Sequence, residues 1–238
     1  MISPWSYFAY VVLKRYRPLW DFDLILNPVY LGGVMKGSKN TPPFLVPNKR
    51  ERYNYKHPTK MIDEETIHKG GNNADPNNFL KILNGKSLVK CIVPPGPFPF
   101  NTLPIMRFLS VVKENDHARL LEAVTDKLYE VIFENQVSVS KDMSEVLKSL
   151  SPDPIEAKKL EECLSRSGDE KTKESVKREA ERVVEEGGFG FPWLEITQPD
   201  GQRLTIFGSD RFEFLANWLG KEWEGPNPSS SNPRESRL

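Results

Sequence analysis

Ser3-Pro4-Trp5-Ser6 near one end of the chain, and Phe189-Gly190-Phe191-Pro192 and Phe207-Gly208-Ser209-Asp210-Arg211 near the other, hold the residues whose types and spacing could do chemistry. A serine at the start of a helix can present its hydroxyl to an anion, in a place where the helix dipole also favours negative charge. Ser209, Asp210 and Arg211 precede a second helix, where unpaired N–H groups favour a bound carboxylate and Asp210 can accept from an ammonium group. A proline ahead of a strand has no N–H for a central ladder, and a cis bond at Pro192 is one way to turn the chain sharply. That leaves the backbone of Phe191 free to pair with an extended peptide. Together these groups could hold a small peptide carrying a thiol. The same residues also make a plain strand entrance and ordinary helix caps.

The elements that must position them can be read locally. Trp193–Thr197 and Arg203–Phe207 have strand composition, and Pro199-Asp200-Gly201 between them forms a turn, because proline presets φ and glycine accepts a positive one. After Gly208, Asp210 stands three residues before Glu213, the spacing of a capping box. Phe212, Leu215, Ala216 and Leu219 then fall on one helical face that Gly220 closes. At the other end Ser3 is a natural N-cap and Pro4 a natural first helical residue for a helix carrying Trp5, Phe8, Val12, Tyr16 and Leu19. Phe22, Leu24 and Leu26 alternate with polar neighbours and predict a strand ending at Asn27-Pro28. Helix, strand, long helical stretch, proline, hairpin and last helix is the order of a thioredoxin-like domain split by a helical insertion.

Within the insertion, residues 37–78 are polar and rich in Lys, Asn, Pro and Gly, which predicts an exposed loop. Its role is either a lid over an acceptor site or a solvated excursion. Helical periodicity returns at Ile105, Phe108, Leu109 and Val112, and again at Leu121, Val124, Leu128, Val131 and Ile132. Met143, Val146, Leu147 and Leu150 predict a further amphipathic segment, as do Ile155, Leu160, Cys163 and Leu164. From Asp169 to Glu186 charges of both signs surround Val176, Ala180, Val183 and Val184, the pattern of a long exposed helix.

Composition excludes several classes of function. The 238 residues carry 33 basic and 33 acidic side chains, so no basic field for nucleic acid exists. No apolar run approaches the ~20 residues that span a bilayer, and no zinc spacing or phosphate-cradling glycine loop appears. The 2 cysteines, Cys91 and Cys163, rule out a disulfide framework and read as buried free thiols of a reducing compartment. A disulfide oxidoreductase would place C-x-x-C at the start of the first helix, where this chain has Ser3 and Ser6. His57, His68 and His117 show no arrangement that would make Ser3 a hydrolase nucleophile.

The ordered set Ser3-Pro4-Trp5-Ser6-Tyr7, Asn27-Pro28, Gly33-Val34-Met35-Lys36, Asn40 with Pro42-Pro43, Pro47-Asn48-Lys49, Met106-Arg107-Phe108-Leu109 and the two motifs near the C-terminus resembles the kappa-class glutathione transferases and the related 2-hydroxychromene-2-carboxylate isomerases. The resemblance implies a detoxifying homodimer that uses glutathione as co-substrate, without metal, against a small electrophile or hydroperoxide. It implies that Ser3 is catalytic, that Asn40 and Lys49 line the glutathione site, that Phe191, before Pro192, offers its backbone to the cysteinyl part, and that Ser209 and Asp210 hold the γ-glutamyl end. The chemistry expected of Ser3 is energetically adequate. Lowering a thiol pKa from ~8.5 by about two units takes roughly 2.7 kcal/mol. A hydroxyl donating to a charged sulfur supplies about 1.5–3 kcal/mol, and a helix N-terminus about 0.3–1 more.

The expected fold is therefore α/β: a thioredoxin-like domain in two parts, 1–40 and 188–222, split by a loop-rich and helical insertion domain at 41–187, with a flexible tail at 223–238. Its first strand is expected to be missing, since only Met1 and Ile2 precede the first helix. The favoured function is transfer of glutathione to an electrophile. The alternatives are glutathione-dependent isomerisation of a hydroxychromene-type ring and a glutathione-binding or chaperone-like protein with little turnover. Ser236-Arg237-Leu238 on the tail is similar to the peroxisomal S-K-L signal, which predicts an import receptor as partner and a peroxisomal address, with mitochondrion or cytoplasm as alternatives.

Overall fold

The computed structural model describes residues 3–42, 45–48, 101–114, 118–134 and 154–228. The expectations for Lys49, Cys91, most of the 37–78 loop, the three histidines, Met143–Leu150 and the C-terminal tripeptide lie outside the described residues. In chain order the elements are α1 (Pro4–Trp20), α2 (Leu31–Gly37), α3 (Leu103–Glu114), α4 (Ala118–Tyr129) continued by a π-helical turn (Glu130–Glu134), α5 (Pro154–Arg166), α6 (Glu170–Glu185), β1 (Trp193–Thr197), β2 (Arg203–Phe207) and α7 (Phe212–Leu219). Of the described residues, Ser3–Leu24 and those from Gly190 onward form one compact unit, and those from Ile25 to Phe189 form the other.

In the first unit α1 buries Phe8, Val12, Tyr16 and Trp20, a stripe repeating every four residues along one helical face. Ser3 is its N-cap and Pro4 follows at the first helical position, where a missing N–H costs nothing. β1 and β2 pair antiparallel with Trp193 opposite Phe207 and Thr197 opposite Arg203. Gly201 closes the connecting turn at φ +88°, its N–H donating to the Gln198 carbonyl at 2.9 Å. α7 buries Phe212, Leu215 and Ala216, and Gly220 ends it in the left-handed conformation.

Three expectations are corrected here. Among the described residues the sheet has two strands only, and Phe22–Leu26 belongs to neither. Its side chains alternate between half-buried and exposed, but alternation describes which face meets water, and a strand also needs a neighbouring backbone for its N–H and C=O groups. The N-cap of α7 is Arg211 with no side-chain capping bond. Asp210 lies one residue outside the helix, so the capping-box spacing to Glu213 is not met. The segment from Trp223 is not a loose tail as far as Pro228. The Trp223 ring stacks on Tyr16 at 4.9 Å and on Phe212 at 5.8 Å. The Tyr16 hydroxyl donates to the Gly225 carbonyl at 2.7 Å and accepts the Glu224 N–H at 2.9 Å, while Trp20 Nε1 donates to the Glu222 carbonyl at 3.0 Å. Burial of aromatic surface, at about 1.5–3 kcal/mol per large side chain, holds this segment along α1.

The second unit is helical. α3 buries Ile105, Met106, Phe108, Leu109, Val111 and Val112 and packs against α4, α5 and α6. Leu121, Val124 and Leu128 of α4, Leu160 and Cys163 of α5, and Val176, Ala180 and Val183 of α6 complete its core, as the apolar periodicities predict. The short α2 has no apolar stripe of its own. It packs on α6 through glycines: a methyl group added at Gly33 would stand 3.0 Å from Ala180 Cβ, and one at Gly37 3.1 Å from Val184 Cγ2. Asn27 links the entry to α2 with the helices, donating to the Glu179 carboxylate and accepting from Lys113 Nζ at 2.6 Å.

Candidate functional site

The peptide bond before Pro192 is cis, and β1 begins one residue later. The Pro192 carbonyl accepts the Gly208 N–H at 3.0 Å, so the proline turn at the entrance to β1 and the glycine at the exit of β2 are tied by their backbones. Side chains reinforce the tie. Gly190 is buried, and a Cβ there would lie 3.0 Å from the Phe207 ring. Gly208 itself has φ +101°, a conformation open to glycine and costly for other residues. It turns the chain from β2 toward Ser209, which is 4% exposed, and the exposed Asp210. The Asp210 carboxylate lies 3.7 Å from Arg211 Nε, with both side chains in solvent, a contact worth at most a few tenths of a kcal/mol to about 1. Immediately after the turn, the Trp193 indole N–H is buried and has no acceptor among the described residues.

Ser3 lies in the same unit as Phe191, Pro192, Ser209 and Asp210. Its backbone carbonyl accepts the N–H groups of Ser6 at 3.1 Å and Tyr7 at 3.3 Å, whereas its hydroxyl makes no capping bond. The N-cap position therefore rests on backbone geometry and Pro4, and the hydroxyl stands beside the positive end of the α1 dipole. Asn40 lies in the helical unit, where its side-chain amide donates to the Phe189 carbonyl at 2.8 Å. Nothing in the local residue types signals that contact, since it joins positions 149 apart. An open depression of about 290 Å³ lined by Thr205, Ile206, Phe207, Arg211 and Phe214 shares two residues with the second motif but contains none of the expected ligand residues. Among the described residues no group of His, Cys, Asp and Glu is arranged to hold a metal ion, and no helix is long and apolar enough to cross a membrane.

Glutathione S-transferase kappa 1 of Homo sapiens is 29% identical over 237 residues, covering 98% of this chain and 94% of that protein. The chain is similar, over nearly its whole length, to kappa-class glutathione transferases. Glutathione S-transferase kappa 1 of Rattus norvegicus is 28% identical over 235 residues, with 98% and 94% covered, and that of Caenorhabditis elegans 28% over 228 residues, with 92% and 87% covered. No protein-family model matches the chain. The fold is that of a solved 2-hydroxychromene-2-carboxylate isomerase, which superposes with a TM-score of 0.64 at 16% identity, covering 92% of this chain and 90% of that one. The kappa-class similarity supports a function of the glutathione transferase type, with glutathione as co-substrate.

Proposed function

We propose that this chain binds glutathione, holds its sulfur as the thiolate and transfers it to small electrophiles. The observation that carries this reading is the similarity to kappa-class relatives along 98% of the chain. The backbone tie between Pro192 and Gly208 supports it by bringing the two motifs of the expected peptide site together. In this proposal the Ser3 hydroxyl donates to the sulfur and the α1 dipole adds to the stabilisation of its charge. Phe191, ahead of cis-Pro192, pairs through its backbone with the cysteinyl residue, Ser209 and Asp210 receive the γ-glutamyl end, and Asn40 and Lys49 border the site. The thiol proton leaves to solvent, the sulfur electron pair forms a C–S bond to the acceptor, and the displaced group, such as halide, departs with the bonding pair.

Conjugation of a small aromatic halide and consumption of a hydroperoxide, each measured with glutathione, test the reading. Turnover of the halide supports it. Retention on immobilised glutathione with neither activity would instead favour a binding protein. The fold shared with an isomerase adds a third assay: interconversion of a hydroxychromene-type ring, in which the thiol adds and leaves again without being consumed. A homodimer, detected by sedimentation, and delivery to peroxisomes through Ser236-Arg237-Leu238 belong to the same proposal. A fluorescent fusion lacking Leu238 should turn cytosolic, and unchanged punctate signal would refute the address.

A further inference from the structure

We infer that Trp223 is a positioning residue for the γ-glutamyl end of the peptide site: through Phe212 it holds the start of α7, and with it Ser209-Asp210, against α1. The inference rests on the reading of Ser209 and Asp210 as the groups that receive that end.

The path of the chain brings a residue from beyond α7 back to the helix's own first turn. At the end of α7 the Gly220 N–H donates to the Asn217 carbonyl at 3.1 Å and the Lys221 N–H to the Ala216 carbonyl at 2.8 Å, with Gly220 left-handed at φ 64°. This closure reverses the chain. The Trp223 ring then lies 5.8 Å from that of Phe212 at an interplanar angle of 21°. The same ring lies 4.9 Å from Tyr16 at 26° and 6.3 Å from Trp20, so it bridges α7 and α1. Backbone on both sides of Trp223 is pinned to α1. Trp20 Nε1 donates to the Glu222 carbonyl, the Tyr16 hydroxyl bonds Glu224 and Gly225, and Arg15 Nη1 donates to the Pro226 carbonyl at 2.9 Å.

Phe212 is the first residue of α7 and follows Ser209, Asp210 and Arg211 directly. The N-cap Arg211 makes no side-chain capping bond, and a helix start without one frays readily. Packing of the buried Phe212 must then keep the first turn closed, and Trp223 supplies a face of that packing from outside the helix. When the turn opens, Ser209 and Asp210 lose the backbone that aims them. Ser3 is insulated from the change, because 13 residues separate it from Tyr16 along α1, about 20 Å of helix. Trp223 therefore acts on the grip of the peptide and leaves the thiolate's partner in place.

Trp223→Ala removes the bridge, and Trp223→Phe keeps a ring for both contacts. Trp223 is half-buried, so neither change empties a core. In the ligand-free chain Trp223→Ala should speed exchange of the Leu215 amide, which donates to the Arg211 carbonyl at 2.9 Å and closes the first turn, by about tenfold. Exchange of the Gln198 amide, bonded to the Gln202 carbonyl at 2.9 Å in the hairpin, should stay as it is. The KM for glutathione should rise about three- to tenfold while the pKa of the bound thiol holds, and Trp223→Phe should recover most of the loss in both exchange and KM. Unchanged Leu215 exchange, equal acceleration at Gln198, or a KM that does not move would overturn the inference. Faster Leu215 exchange in a protein whose unsubstituted form neither binds nor turns over glutathione would leave the anchor of α7 standing and reject the proposed function instead.

Discussion

The Gly208 amide donates to the Pro192 carbonyl at 3.0 Å, so the residue that ends β2 also fixes the turn that begins β1. A single backbone bond couples the two motifs whose residues are proposed to grip opposite ends of one peptide. Its geometry depends on Gly208 holding φ +101°.

Gly208→Ala is therefore expected to destabilise the chain by about 1–2 kcal/mol, the cost of forcing a Cβ into positive φ. The new methyl would also meet Asp210 Oδ1 at 2.5 Å, but that carboxylate is the free end of an exposed side chain and can move, so the backbone term dominates. Thermal unfolding should show the loss, together with a weaker grip on glutathione. Wild-type stability and affinity would count against the coupling.

Ser3→Ala separates capping from chemistry. Loss of a capping hydroxyl ordinarily costs about 1 kcal/mol. Because the Ser3 side chain makes no capping bond, the cost here should stay under ~0.5 kcal/mol. The bound glutathione thiol should meanwhile rise in pKa by about 1–2 units, read by ultraviolet titration of the thiolate. An unshifted thiol would remove Ser3 from the mechanism.

For Asp210→Ala the expected order is reversed. Its carboxylate is exposed and lies outside α7, so stability should change by no more than about 0.5 kcal/mol. Loss of a charge-assisted bond to the γ-glutamyl ammonium should raise the glutathione KM on the order of tenfold or more, with a smaller effect on kcat. Equal losses in both parameters would contradict a role confined to binding.

Tyr16→Phe tests the docking of the segment after α7. It removes the bonds to Glu224 and Gly225 and leaves the Gly225 carbonyl without this donor, at about 1–3 kcal/mol. A pH signature accompanies it. Burial raises the Tyr16 hydroxyl above its ordinary pKa of 10.0, partly opposed by the Glu224 N–H. The folded chain holds that proton more tightly than the unfolded chain does, so the stability is complete below pH 10.0 and is lost as pH rises through the higher folded value. The variant should lose part of this alkaline decline, seen as a flatter unfolding midpoint above pH 10.0.

Lys39→Gly should stabilise. Lys39 occupies the left-handed position of the α2 closure at φ 58° and is exposed, so glycine relieves about 1 kcal/mol. At this chain length that is a rise of roughly 2–4 °C in Tm. A lower Tm would show that the lysine side chain contributes more than its backbone costs.

What could be read from the chain beforehand is what adjacent residues decide among themselves. The hairpin at Trp193–Thr197 and Arg203–Phe207, the Ser3-Pro4 start of α1 and the Gly220 end of α7 all follow from steric preferences within a few positions. Phe22–Leu26 was not decidable in this way, because its alternation says nothing about whether another strand lies alongside. The start of α7 shifted by one residue, since Asp210 and Arg211 compete for the cap and local spacing alone favours the acid. α2 was hidden by its glycines, which weaken helix propensity yet are what lets α6 approach. The bond from Asn40 to Phe189 joins two helix endings distant in sequence, and no local pattern encodes it. Trp223 carried a signal that composition obscured: a large aromatic in a stretch of Gly, Pro and Ser, matched by Tyr16 and Trp20 four residues apart on α1.

The contact between α2 and α6 behaves like two meshed gears. Gly33 and Gly37 are spaced by four, as are Ala180 and Val184, and each glycine faces one of the larger residues at 3.0–3.1 Å of prospective methyl contact. A carbon added to either row requires the other to yield by a few tenths of an ångström. Substitutions drift here in compensating pairs: Gly37→Ala alone should be selected against, while the same change alongside Val184→Ala restores the volume. Among divergent descendants of this chain, residue size at 37 and 184 should vary inversely, an inheritance pattern traceable to two absent side chains.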